Sequence, residues 1–168
     1  MIIVTGLRRS GTSMMMLALK ESGIPIIAKD MADEHNPLGY WETQDVTRGI
    51  FYDMGDKAIK IVADGFYFSD PKYIDKVIVM LRDPRIVLKS QLKVGICRKG
   101  DEKRVAFKNA VDLSRTFEII KTFKIPHITV EYDEMLRYPK ENMLRVCRFL
   151  GKGNGEGWKI VDPKLNNH

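Results

Sequence analysis

Gly6 and Gly11 constrain this chain more than any other pair of residues. They bound a polar turn, Leu7-Arg-Arg-Ser10, between an apolar run at Ile2-Ile-Val4 and a stretch suited to a helix from Thr12 onward. Strand, glycine-bounded loop and helix together make a cradle for an anion. Successive backbone N–H groups in such a loop point inward, and the positive end of the helix dipole adds to them.

The two glycines have the spacing of the phosphate-loop pattern G-x-x-x-x-G-K-[ST]. Thr12 stands in the lysine slot, Ser13 follows it, and the positive charge lies earlier, at Arg8 and Arg9. In a nucleoside triphosphatase that lysine reaches the β- and γ-phosphates and the next hydroxyl holds magnesium. Without it, a triphosphate with its metal is poorly served, and a smaller anion flanked by guanidinium groups fits better. The bland alternative is an ordinary turn with two surface arginines.

The rest of the chain alternates strand and helix. Thr12 to Ser22 reads as a helix stopped by Gly23. Its run Met14-Met-Met-Leu17 reads as core packed on a sheet and not as a cofactor site. Ile24–Ile27 reads as a second strand, 28–40 as a loop, Glu42–Asp56 as a helix, and Ala58–Ala63 as a third strand ending at Asp64-Gly65. Lys76–Leu81 is the strongest strand signal, an apolar run suited to a parallel strand buried on both faces. Pro84 starts a helix to about Val94. Asp101–Lys124 is amphipathic, His127–Glu131 is a fifth strand, and Pro139–Leu150 a last helix closed by Gly151. From Lys152 the chain reads as a Gly-rich, polar tail.

This order predicts an α/β fold of the three-layer phosphate-loop, nucleotide kinase-like type. A central parallel sheet of about five strands would carry helices on both faces, with residues 1–168 as a single domain. Ligands of such sheets bind at the carboxyl ends of strands. Arg8, Arg9, Asp64 and Arg82 all follow expected strand ends, so they are expected on one rim.

A net charge of +6 fits a polyanionic ligand, and no run of Lys and Arg is long enough for a nucleic-acid arm. Cys97 and Cys147 make no C-x-x-C pair and no metal pattern, so buried free thiols are expected. No apolar stretch is long enough to span a membrane. With a first strand expected from residue 2, neither a leader nor an anchor is expected, and a cytoplasmic location is the expectation.

Gly6-Leu-Arg-Arg-Ser-Gly-Thr-Ser13 resembles the 5′-phosphosulfate loop of sulfotransferases. The resemblance implies 3′-phosphoadenosine 5′-phosphosulfate (PAPS) as sulfuryl donor, 3′-phosphoadenosine 5′-phosphate (PAP) as product, and no metal. It assigns Arg8, Arg9, Ser10, Gly11, Thr12 and Ser13 to the donor, with Arg9 against the sulfuryl group and the bridging oxygen. Arg82-Asp-Pro-Arg-Ile-Val-Leu-Lys-Ser90 resembles that family's 3′-phosphate motif, an Arg ending a strand and a Ser eight positions on. It implies that Arg82 and Ser90 bind the 3′-phosphate. A guanidinium can grip a phosphate with two parallel bonds and a hydroxyl can add a third. The rival reading of this stretch is a displaced magnesium-holding Asp83; the bland one is an Arg82–Asp83 ion pair. The segment Glu131–Gly151 resembles the family's late strand and helix. Lys152-Gly-Asn-Gly-Glu-Gly-Trp-Lys159 resembles a loop that closes over the 3′-phosphate.

Sulfuryl transfer also needs a base for the acceptor proton. Asn36-Pro-Leu-Gly-Tyr-Trp-Glu42 resembles a pattern of bacterial members and makes Glu42 the first choice. His35, Asp64, Asp30 and Glu34 remain open. The implied acceptor is a hydroxyl or amine of a small molecule or glycan, with neither specific nucleic acid nor membrane as partner. A phosphate-loop kinase of nucleosides or small metabolites, or a non-catalytic nucleotide-binding relative, are the competing readings.

Overall fold

The computed structural model describes residues 1–28 and 55–161. Five strands form one sheet: β1 (Ile2–Gly6), β2 (Ile26–Ile27), β3 (Ala58–Lys60), β4 (Lys76–Leu81) and β5 (His127–Glu131). Their order is β2-β3-β1-β4-β5, and every pairing is parallel. Among the described residues six α-helices accompany them: α1 (Thr12–Glu21), α2 (Ala63–Phe66), α3 (Pro84–Lys93), α4 (Glu102–Thr122), α5 (Tyr132–Arg137) and α6 (Pro139–Leu150).

Side chains of a strand alternate between faces, and the core divides accordingly. Ile2, Val4, Ala58, Ile78, Met80 and Val130 pack with the methionines of α1 and with Met135, Met143 and Val146 of α5 and α6. Ile3, Ile59, Val77 and Val79 face the other way, onto Phe66 of α2 and Ile120 of α4. Three layers result, as the alternation of elements predicts. The sequence is similarly informative about the cysteines, which are buried free thiols; burial pushes the Cys97 thiol up.

Several boundaries differ from expectation. β2 is shorter because Pro25 has no N–H to donate and the Ile24 N–H closes α1 on the Leu19 carbonyl. β3 ends at Lys60, not Ala63; Ala63 and Phe66, three apart, turn their side chains into the core as α2. Tyr132–Arg137 is a further helix the sequence pass did not separate.

The tail is a correction. Residues Glu156–Ile160 form a 3₁₀ turn, and the Gly157 N–H donates to Ser22 Oγ at 3.0 Å. A Cβ on Gly157 would lie 1.8 Å from the Ala18 carbonyl oxygen. Trp158 and Ile160 pack against the core face lined by α1. This segment therefore closes the C-terminal end of α1. The cradle opens at the helix's other end, so the structure does not place this loop over a 3′-phosphate. Residues 42–54 of the helix expected over Glu42–Asp56, and residues 29–40 of the loop before it, lie outside the described residues; Gly55 and Asp56 form a turn.

Candidate functional site

β1 lies at the middle of the sheet, and Gly6 pairs with Met80 of β4. The strands that follow lie on both sides of it, β3 and β2 on one and β4 and β5 on the other; parallel sheets bind ligands beyond the strand ends at such a switch point. A Cβ on Gly6 would sit 2.4 Å from the Met80 carbonyl oxygen and 2.6 Å from Ser10 Oγ. Only glycine lets the loop fold back so closely. Ser10 N–H donates to the Leu7 carbonyl, Gly11 has φ 96°, and α1 begins at Thr12. Ser10 Oγ is buried and has no hydrogen-bond partner among the described residues.

Arg9 has φ 76°, a left-handed conformation that costs a non-glycine residue about 1–2 kcal/mol. Such strain persists where surroundings over-determine it, and here they do. Arg82, just beyond β4, donates from Nη1 to the Arg9 carbonyl at 3.2 Å. Arg9 Nε donates to Ser90 Oγ of α3 at 3.1 Å. Gln91 Nε2 donates to the Arg8 carbonyl at 3.0 Å. The Arg82 guanidinium lies 4.1 Å from the centre of the Tyr132 ring. That ring in turn sits where a Cβ on Gly11 would go, 2.4 Å away. Burial pushes the Tyr132 phenol up, against the opposing pull of Arg82.

Arg8, Arg9, Asp64 and Arg82 do share one rim. Arg8 Nε stands 3.6 Å from Asp64 Oδ2, and Lys108 Nζ stands 3.7 Å from the same oxygen. Asp64 reaches the rim from α2, not from a strand end. Its carboxylate bridges the loop to α4. Asp83 serves neither of the roles considered for it. Its carboxylate accepts from the backbone N–H of Arg85 as the N-cap of α3, and from the Arg85 guanidinium. That arrangement holds the Asp83 carboxyl at about 2. Thr12 and Ser90 are buried. Glu42, His35, Asp30 and Glu34 lie outside the described residues.

Sequence reading passed over Lys60. It is the last residue of β3, pairs in register with Val4, and is only 4% exposed. Its ammonium donates to Ser13 Oγ at 3.0 Å. A cation is thus delivered from the neighbouring strand to the hydroxyl that follows the vacant lysine slot. The signal was present: a lysine inside the apolar run Ala58-Ile-Lys-Ile-Val62 has to be partnered when that run is buried.

Cations thus reach the loop from two neighbouring strands, Lys60 at Ser13 and Arg82 at the Arg9 carbonyl, while the Arg9 guanidinium itself lies on Ser90. Among the described residues no cluster of three or more His, Cys, Asp or Glu could hold a metal ion, and no helix is long and apolar enough to cross a membrane. No protein-family model matches the sequence, and no curated protein matches it. Among solved structures, the chain is similar to the sulfotransferase domain from the Synechococcus PCC 7002 olefin synthase. The identity is 15% and the TM-score 0.55, over 100% of this chain and 82% of that one. A likeness at that identity shows the fold: a five-stranded parallel sheet flanked by helices, of the phosphate-loop type found in sulfotransferases.

Proposed function

We propose that the chain is a sulfotransferase that moves a sulfuryl group from PAPS to a hydroxyl or amine of a small molecule or glycan. One observation carries this reading: Arg82 and Ser90 meet the loop itself, at the carbonyl and the guanidinium of Arg9. A ligand bearing one anionic group at a 5′ end and another at a 3′ position suits cations set at Ser13, by Lys60, and about the Arg9–Ser90 contact, by Arg9 and Arg82. The buried, unpartnered Ser10 Oγ suits the same cradle.

In the transfer, the acceptor oxygen or nitrogen forms a bond to sulfur while the bond from sulfur to the bridging oxygen breaks. PAP leaves and the acceptor proton passes to a base. Arg9 and the loop N–H groups neutralise charge growing on the bridging oxygen. Glu42 is our choice of base, with His35, Asp30 and Glu34 in the same segment. Asp64 is the weaker choice, because Arg8 and Lys108 already share its carboxylate.

Two observations disfavour a magnesium-dependent kinase. Lys60 stands at the Ser13 oxygen, where the phosphate-loop pattern would seat the metal. The carboxylate after β4 is committed to Arg85.

Calorimetry with PAP and adenosine 5′-phosphate without metal, and with ATP and magnesium, tests the reading. PAP should bind most tightly. Arg82→Ala should erase the preference for PAP over adenosine 5′-phosphate, at a cost of about 2–4 kcal/mol, in the range for truncating one partner of a buried charge pair. Equal affinity of the wild type for PAP and adenosine 5′-phosphate sinks the donor assignment. Tight PAP binding with no sulfuryl transfer to a broad panel of phenols, sugars and amines favours the non-catalytic relative.

A further inference from the structure

Gln91 is 1% exposed and lies one residue beyond Ser90, yet nothing in the donor assignment uses it. A buried amide is costly unless both of its ends are bonded. Gln91 Nε2 donates to the Arg8 carbonyl at 3.0 Å, and its Oε1 accepts from Asn109 Nδ2 at 3.0 Å. The Arg8 carbonyl can only accept, so it fixes which end of the amide faces it. Asn109 is held on α4, the longest helix of the described residues.

The bonded carbonyl belongs to the peptide that joins Arg8 to Arg9. In a trans peptide the N–H points opposite to the C=O. Fixing the Arg8 carbonyl toward α3 therefore fixes the direction of the Arg9 N–H. It also holds the peptide entering the left-handed residue, while Arg82 holds the Arg9 carbonyl that leaves it. Alternating left-handed conformations of this kind orient successive N–H groups toward an anion.

We propose that Gln91, anchored by Asn109, is a positioning residue that sets the Arg8–Arg9 peptide and so orients the anion cradle. The proposal deepens the donor-site reading and rests on it for the identity of the nucleotide. It differs from a core-packing role in predicting a defect in the 5′ cradle alone.

The test titrates wild type, Gln91→Met and Asn109→Ala with inorganic pyrophosphate, PAP and adenosine 5′-phosphate, by calorimetry and by backbone amide shifts of residues 9–13. Methionine keeps the volume and removes both bonds. Gln91→Met should weaken pyrophosphate, PAP and adenosine 5′-phosphate alike, by about ten- to a hundredfold, the range for stranding a bonded carbonyl. The ratio of PAP to adenosine 5′-phosphate affinity should stay as in wild type, because Arg82 and Ser90 are intact. Asn109→Ala deletes only the outer link. It should give a smaller loss of the same kind, about two- to tenfold, and it carries the test should Gln91→Met fail to fold. A lower melting temperature with unchanged pyrophosphate affinity and unmoved Arg9–Ser13 amide shifts overturns the proposal. So does a loss confined to the 3′-phosphate. Wild type that binds pyrophosphate but shows no preference for PAP defeats the donor reading and leaves the positioning test intact; wild type that binds neither overturns both.

Discussion

Lys60→Met isolates the cation that the loop lacks. The side chain is nearly as long, and the site is buried, so packing is largely kept. What disappears is one positive charge 3.0 Å from Ser13 Oγ. Two unit charges about 4 Å apart at an effective dielectric near 20 interact by about 4 kcal/mol. Truncating one partner of a buried charged contact costs about 2–5 kcal/mol in complexes. The two scales overlap, and the variant should bind PAP about 30- to 1,000-fold more weakly. Stability should respond differently. Replacing a whole buried ion pair by apolar side chains is often neutral, whereas removing one partner strands the other; the lost bond to Ser13 by itself costs about 1 kcal/mol. The Ser13 bond alone accounts for a fall in melting temperature of about 2–4 °C. Calorimetry with PAP and a thermal melt on the same samples read both quantities. Wild-type affinity in the variant would show that Lys60 does not face the anion. A collapsed melting temperature would show that Lys60 holds the sheet, and either result refutes the reasoning.

Asp83 makes a pH prediction. Its folded-state carboxyl sits at about 2 against an ordinary 3.8, depressed by Arg85, so its stabilising contribution is present above about pH 4 and lost as pH falls toward 2. Wild type should melt above Asp83→Asn at pH 6, and the gap should close between pH 4 and 2; a gap that persists at pH 2 means the two differ for another reason. Gly157→Ala should destabilise the chain by roughly 2 kcal/mol or more, because its Cβ meets the Ala18 backbone carbonyl and the neighbour cannot move aside cheaply. The melting temperature should fall by several degrees while PAP affinity, measured well below the melt, stays as in wild type, since the contact is at the far end of α1.

The sheet was legible because its signals are local. The Lys76–Leu81 run, the glycine that ends β1 and the proline at the start of α3 each act within a few residues. Asp64 was placed on the correct rim from the wrong element, since the chain leaves β3 after Lys60 and the short helix at Ala63–Phe66 has no periodicity long enough to read. Lys60 was passed over because its role depends on register. Nothing near it in sequence says that its partner is Ser13, 47 residues away. The tail misled in the opposite direction. Its Gly-Trp-Lys string matches a loop over a phosphate, whereas the packing of Gly157 on Ala18 is a close approach that only the fold reveals.

Consecutive arginines in the loop show why residue type alone does not assign a role. Arg8 is engaged at both ends from α4: its guanidinium through Asp64 to Lys108, its carbonyl through Gln91 to Asn109. Lys108 and Asn109 are adjacent, so one stretch of helix fixes the side chain and the backbone of a single loop residue. Arg9, next in sequence, takes the left-handed conformation and turns toward Ser90 and Arg82. The left-handed backbone at Arg9 turns it away from the α4 contacts of Arg8 and toward α3 and the end of β4. Under the proposed donor reading, a substitution of Arg8 should therefore act through the placement of Arg9, and a substitution of Arg9 on the anion itself. The two motifs, far apart in sequence, meet because Arg82 grips the carbonyl of the residue that makes this turn.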